Sequence, residues 1–258
     1  MLVWLEDIRL NAVVTGPESG PPLVLIHGLG LDLALWDGLM PQLAAHRVLR
    51  LDLRGHGGSD APRPRCAMGA LIRDVERLMQ HFALTGAVVL GQGEGGLLAQ
   101  GLAIKRLDLV RAMILAGSAS RFATPDHWAR RIARRRDEGP APEAACAALL
   151  GPRWRQSPAV APVRAMLART SDAGWAGFAA AIATADFHQA TARLTLPSLI
   201  LAGGDDRHVP PDLQRETAGL IAGAEFTLLL GACHLAMLAD PDPFAAALLG
   251  FLARIGHV

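Results

Sequence analysis

Apolar residues along the chain fall into short continuous runs separated by stretches of helical period. Val3 to Val14, broken near Asp7, alternates apolar and polar side chains, which predicts two short antiparallel strands at the edge of a sheet. Leu23-Val24-Leu25-Ile26 is apolar throughout, as strands buried on both faces are. Runs of the same kind recur at Val48–Leu51, Val88–Leu90, Met113–Ala116, Ser198–Ala202 and Glu225–Leu230. Between them, Leu71, Val75, Leu78, Met79 and Phe82 repeat with the spacing of a helix laid on one sheet face. Leu97 to Ile104 predicts a second helix, and Trp36 begins a shorter one that ends before His46. Strand and helix alternating in this way predict a doubly wound α/β sheet.

The alternation stops after Ala116. From Arg121 to about Arg193 no buried-strand run appears, and the sequence is alanine-rich and helix-forming, broken by Gly139-Pro140, Gly151-Pro152, Pro158 and Pro162. A helical insertion over residues 121–193 is expected, with the core formed by 1–120 and 194–258. Arg130, Arg131, Arg134, Arg135 and Arg136 crowd into one helix of that insertion. They form either a solvated face or a source of one or two cations for a cleft, where bidentate pairing with a carboxylate would be useful.

Composition narrows the classes. A chain of 258 residues that is 51% hydrophobic can bury one large core. Its formal net charge of +1 gives no global field suited to nucleic acid or an anionic membrane. Lys105 is the only lysine among 25 cationic residues, so arginine reflects compositional bias and any single one weighs less. Cys66, Cys146 and Cys233 are odd in number and widely spaced, which predicts reduced thiols, no metal site and a cytoplasmic protein. No apolar run approaches 18 residues.

The chemistry gathers at the ends of the apolar runs. Val88-Val89-Leu90 passes through Gly91-Gln92-Gly93-Glu94-Gly95-Gly96 into the helix at Leu97. Gly91, Gly93 and Gly96 also match the G-x-G-x-x-G fingerprint of dinucleotide sites. That motif belongs to the first strand-to-helix turn and needs an acid after the next strand, whereas Met113–Ala116 is followed by Gly117-Ser118. Leu23–Ile26 ends at His27-Gly28-Leu29-Gly30, and the strand at Val48 runs into Arg54-Gly55-His56-Gly57-Gly58-Ser59. Ser198–Ala202 ends in Gly203-Gly204-Asp205-Asp206-Arg207-His208-Val209-Pro210, and the last strand leads to Cys233-His234.

Taken in this order, these motifs resemble the α/β-hydrolase family, whose nucleophile elbow reads G-x-S-x-G. Over nearly the whole chain the likeness is greatest to its 3-oxoadipate enol-lactonase group, and includes Trp128-Ala129-Arg130-Arg131-Ile132, Asp172-Ala173-Gly174-Trp175 and Ala185-Asp186-Phe187. The resemblance implies an α/β-hydrolase fold with a mostly parallel sheet, helices on both faces and a helical cap at 121–193 roofing the site. It places Gly93 at the nucleophile position, Asp206 as the acid, His234 as the base, and the backbone N–H groups of Leu29 and Glu94 in the oxyanion hole. The Glu94 side chain is expected to leave on another vector. Some of Trp128, Trp154, Trp175 and Phe187 are expected to line an apolar substrate pocket for a small molecule, the alternative being that they only join cap to core, with a carboxylate on the ligand if cap arginines reach the cleft. No cofactor is implied, and the oligomeric state stays open.

Gly93 supplies no attacking atom, so efficient acyl-enzyme chemistry is not expected. Three explanations follow: a deliberate replacement that traps substrate, a water activated by His234 in the vacated space, or a binding module on a hydrolase scaffold.

Overall fold

The computed structural model describes residues 1–61 and 66–258. Strands β1 (Leu2–Leu5) and β2 (Ile8–Thr15) form an antiparallel pair with Leu5 opposite Ile8, the reversal falling at Glu6-Asp7. Their alternation sends Val3, Leu5, Ile8, Leu10 and Ala12 into the core. There follow β3 (Pro22–Ile26), β4 (Arg47–Leu51), α1 (Met68–His81), β5 (Ala87–Gln92), α2 (Gly95–Lys105) and β6 (Val110–Ala116). Five helices come next: α3 (Pro125–Glu138), α4 (Pro142–Leu150), α5 (Val160–Arg169), α6 (Asp172–Ala183) and α7 (His188–Thr191). The chain closes with β7 (Ser198–Gly203), α8 (Pro211–Leu220), β8 (Glu225–Leu229), α9 (Ala236–Ala239) and α10 (Pro241–Arg254).

The eight strands form one sheet in the order β1-β2-β4-β3-β5-β6-β7-β8. From β4 to β8 all neighbours are parallel, and the inner strands β3, β5, β6 and β7 are buried along nearly their whole length, which explains their largely apolar runs. One sheet face buries Val24, Ile26, Val89, Met113 and Leu115 against α1, α2 and α8, while the other buries Leu23, Leu25, Val88, Leu90 and Ile114 against α10. The cap is divided between the two layers, α3 and α6 joining the first and α4 and α5 the second. In place of the helix expected at Trp36 there is a tighter 3-10 segment, Leu33–Leu39, opened by the Asp32 carboxylate accepting from the Ala34 N–H at 3.0 Å.

Two buried polar knots hold the turn after β4. Asp52 accepts from Asn11 Nδ2 at 2.8 Å, from the Leu33 N–H at 2.7 Å and from the Gly58 N–H at 2.8 Å, so one carboxylate ties β2, the 3-10 segment and the glycine turn together. Arg54 forks onto Asp74 of α1, with one contact at 2.7 Å, and onto Asp7 at 2.7 and 3.0 Å. Gly55 then meets Gly174 of α6 backbone to backbone, at a separation that leaves no room for a Cβ on either. The Ser171 N–H donates to the Gly55 carbonyl at 2.9 Å, fastening the cap to the core at this point.

Asp74 is almost wholly buried, so removing its partner would strand a charge. Arg54→Ala is expected to lower unfolding free energy by about 3–5 kcal/mol in urea titration, and a matched Arg54→Met/Asp74→Leu pair by much less.

Candidate active site

The elbow is built by close backbone approach. At Gly91 a Cβ would fall 2.5 Å from the Gly96 Cα, and at Gly95 it would strike the His27 carbonyl. Small residues therefore let α2 cross directly over β5 and the end of β3. Gly93 sits at the apex with φ +53°, a left-handed conformation that costs a residue with a side chain roughly 1–3 kcal/mol. Its N–H donates to the Ala116 carbonyl at 2.9 Å.

The structure brings Gly93, Asp206 and His234 together at the carboxyl edge of the sheet. His234 Nδ1 lies 2.8 Å from Asp206 Oδ2, and the other Asp206 oxygen accepts from the N–H groups of His208 and Val209 at 2.8 and 2.9 Å. Asp205 is exposed and takes no part in this pair. Gly117 gives the pair its seat, since a Cβ there would lie 2.9 Å from His234 Nδ1. A Cβ on Gly93 would lie 3.1 Å from His234 Nε2. Burial opposes a charge on the imidazole, but Asp206, and to a lesser extent Glu94, raise its pKa above the ordinary value.

His27 belongs to the scaffold. Its Nε2 accepts from the Leu53 N–H at 3.0 Å and its Nδ1 donates to the Gly28 carbonyl at 2.8 Å, so the turn after β3 is bolted to the turn after β4. Burial pushes its pKa down, which keeps the ring neutral and suited to accept.

Two side chains of the elbow turn onto His234 and onto the turn after β3. The Gln92 amide donates to His234 Nε2 at 2.8 Å and accepts from the Gly28 N–H at 3.1 Å. That pattern requires the neutral ring, with its proton on Nδ1 facing Asp206. Glu94 departs from the sequence expectation: its carboxylate does not leave the site but turns into it. Oε2 accepts from the Leu29 N–H at 3.1 Å, and Oε1 lies 3.4 Å from His208 Nε2. Burial alone would raise the Glu94 pKa, but His208, His234 and Arg131 outweigh it and bring it down to about 2. Glu94 is therefore an ionised, paired carboxylate, in a position where an unpaired one would remain protonated.

Above this floor lies a cavity of about 410 Å³ lined by Leu29, Glu94, His208, Arg131, Trp128 and Trp175, among others. Of the four aromatics expected there, Trp128 and Trp175 line it and the other two do not. Trp154 packs against the layer of α4 and α5 and donates to the Gly231 carbonyl at 3.3 Å. Phe187 packs on α2 beside Gly101. Among the cap arginines, Arg134 pairs with Glu138, Arg135 with Asp172 and Arg136 with Asp137. Arg131 instead stacks on the indoles of Trp128 and Trp175, its guanidinium 4.6 and 5.6 Å from the ring centroids.

Gln92 and His208 escaped sequence reasoning. Gln92 occupied a variable position of the elbow, and His208 lay two residues past the chosen acid. The sequence feature that marks His208 is its place in the same turn as Asp206. Among the described residues, no group of three His, Cys, Asp or Glu side chains is placed to hold a metal ion.

A family model described as alpha/beta hydrolase fold matches residues 21–141. The chain is 30% identical to 3-oxoadipate enol-lactonase 2 of Acinetobacter baylyi over 209 residues, 78% of this chain and 77% of that protein. It is 31% identical to the pimeloyl-[acyl-carrier protein] methyl ester esterase of Klebsiella pneumoniae over 93% of this chain and 96% of that one. The crystal structure of the enol-lactonase from Burkholderia xenovorans LB400 superposes with a TM-score of 0.93 at 29% identity, covering 98% of this chain and all of the other.

The lowered pKa of Glu94 ties stability to pH. A carboxylate at about 2 in the folded protein, against an ordinary 4.5, adds stability that is complete above pH 4.5 and is lost as pH falls through 2. Glu94→Gln should therefore be less stable at pH 7 by roughly 2–3 kcal/mol. In denaturant titrations at several pH values, the difference should close between pH 4.5 and 2.

Proposed function

The chain belongs to the α/β-hydrolase fold family, and from that membership we propose that it binds a small carboxylate-bearing ester or lactone between core and cap without forming an acyl-enzyme. The observation that carries this reading is the double occupancy of the site. His234 Nε2 is taken by Gln92, the Leu29 N–H by Glu94, and Gly93 offers no oxygen to attack a carbonyl. A base and an oxyanion donor that are already hydrogen-bonded inside the protein have no free capacity for a transition state.

The cavity supports the choice of ligand. Two indoles give it an apolar body, and Arg131 and Arg207 bring positive charge to its wall, facing the carboxylate of Glu94. An ion pair with Arg131 costs the protein no existing carboxylate contact, because that guanidinium rests on aromatic faces. The enol-lactonase and esterase names of the relatives agree with an ester- or lactone-like ligand.

A second reading is favoured by the intact Asp206–His234 pair: Gln92 swings aside and His234 activates a water in the space beside Gly93. The two separate on an activated aryl ester. Under the first, mass spectrometry finds no acylated protein and His234→Ala leaves any turnover in place; a rate that collapses in His234→Ala selects the second. Binding is checked by calorimetry with adipate, whose affinity should fall about tenfold in Arg131→Ala. An unchanged affinity would remove the arginine from the site.

The Gln92 contact also bears on restoring the serine. Gly93→Ser alone would place its Cβ 3.1 Å from a nitrogen that already accepts a hydrogen bond, at a left-handed apex. It should melt at lower temperature and hydrolyse esters only slowly. Gly93→Ser/Gln92→Ala, with Nε2 released, should be at least about a hundredfold faster than the single variant in steady-state kinetics.

A further inference from the structure

Glu94 and His208 both line the cavity. These two form a second carboxylate–imidazole pair. Glu94 is held on one oxygen by the Leu29 N–H and presents the other to His208 Nε2 at 3.4 Å. The Glu94 side chain is 4% exposed and that of His208 20%, so the carboxylate is anchored in the protein and the imidazole lies at the open end. His208 is also fixed from behind: its N–H donates to Asp206, and its ring packs edge-on against His234 with centroids 4.7 Å apart. A carboxylate that takes the Nε2 proton sets the tautomer in which Nδ1 carries the lone pair, the arrangement by which a buried acid orients a histidine base. Catalytic hydrogen bonds are commonly long in ligand-free proteins and shorten when substrate closes the site.

We propose that Glu94 and His208 form the working general-base dyad of the cavity and direct a water onto the carbonyl of the bound ester or lactone. The inference rests on the reading that such a molecule occupies the cavity. His208 Nδ1 takes a proton from water as the water oxygen bonds to the carbonyl carbon. The tetrahedral intermediate then expels the alkoxide or enolate by breaking its C–O bond, and the leaving oxygen recovers the proton from Nδ1. One water is consumed, one carboxylic acid and one alcohol or enol are released, and no bond to the protein is made. Arg207, next to His208 in sequence and on the same cavity wall, supplies positive charge for the developing oxyanion. His208 touches substrate in this scheme, whereas Glu94 is a positioning residue.

The test uses mono-(4-nitrophenyl) adipate as substrate and adipate as binding probe on the full chain. His208→Gln should lower kcat by about a hundredfold while adipate affinity measured by calorimetry stays within about threefold, and Glu94→Gln should lower kcat by about tenfold. Wild-type kcat should show a normal solvent deuterium isotope effect that His208→Gln removes while His234→Ala keeps it, a pattern that a merely structural His208 would not produce. Wild-type protein that binds adipate but lacks the isotope effect, or keeps its kcat and isotope effect in His208→Gln, overturns the dyad alone. Failure of the wild type to bind adipate overturns the binding reading beneath it, and the dyad with it.

Discussion

A carboxylate as deeply buried as that of Glu94 has to be met by donors within the protein, and much of the site follows from meeting it. Leaving such a charge unpaired would cost several kcal/mol or force it to take up a proton. The Leu29 N–H and His208 supply the partners, which fixes the turn after β3 on one side and the acid turn after β7 on the other. Gln92 repeats the logic two residues away, joining the Gly28 N–H to His234. Gly28 has to stay without a side chain, since a Cβ there would meet Gln92 Oε1 at 2.6 Å and Glu94 Oε2 at 3.1 Å. Two polar side chains of the elbow thus cross-link three loops over the sheet.

The sheet makes this possible by being stiff where the loops leave it. β3, β5, β6 and β7 are buried along nearly their whole length and end at the same edge, so the turns that follow start from fixed points. The cap is tied down more locally, through the Gly55–Gly174 contact and the Ser171 bond to Gly55, beside the buried forks of Arg54. The cavity lies between a rigid floor and helices that reach it from both core layers.

The fold was legible in the sequence because parallel strands buried on both faces leave unmistakable apolar runs, and α1 keeps its period through Leu71, Val75, Leu78 and Met79. The meeting of Asp206 with His234 was legible through the resemblance of their two turns, in chain order, to those of the α/β-hydrolase family; a lone histidine after a strand would not have shown it. Side-chain direction was not. Which way Glu94 turns depends on a backbone N–H 65 residues away and on His208 at the far end of the chain, neither of which is expressed in local pattern. The aromatics divide for a similar reason: a tryptophan in a helix packs on whatever lies beneath it, and the ground under Trp154 is the α4–α5 layer and Gly231 rather than the cleft.

The bare apex of the elbow also decides how the protein meets reactive chemistry from outside. Reagents that inventory hydrolases in a cell extract do so by phosphorylating the hydroxyl at that apex, and Gly93 has none. Cys233, beside His234 in sequence, is buried, with its thiol pushed up to about 11. A survey by such reagents would pass over this chain in silence, although its fold is that of the proteins the reagents were made to find.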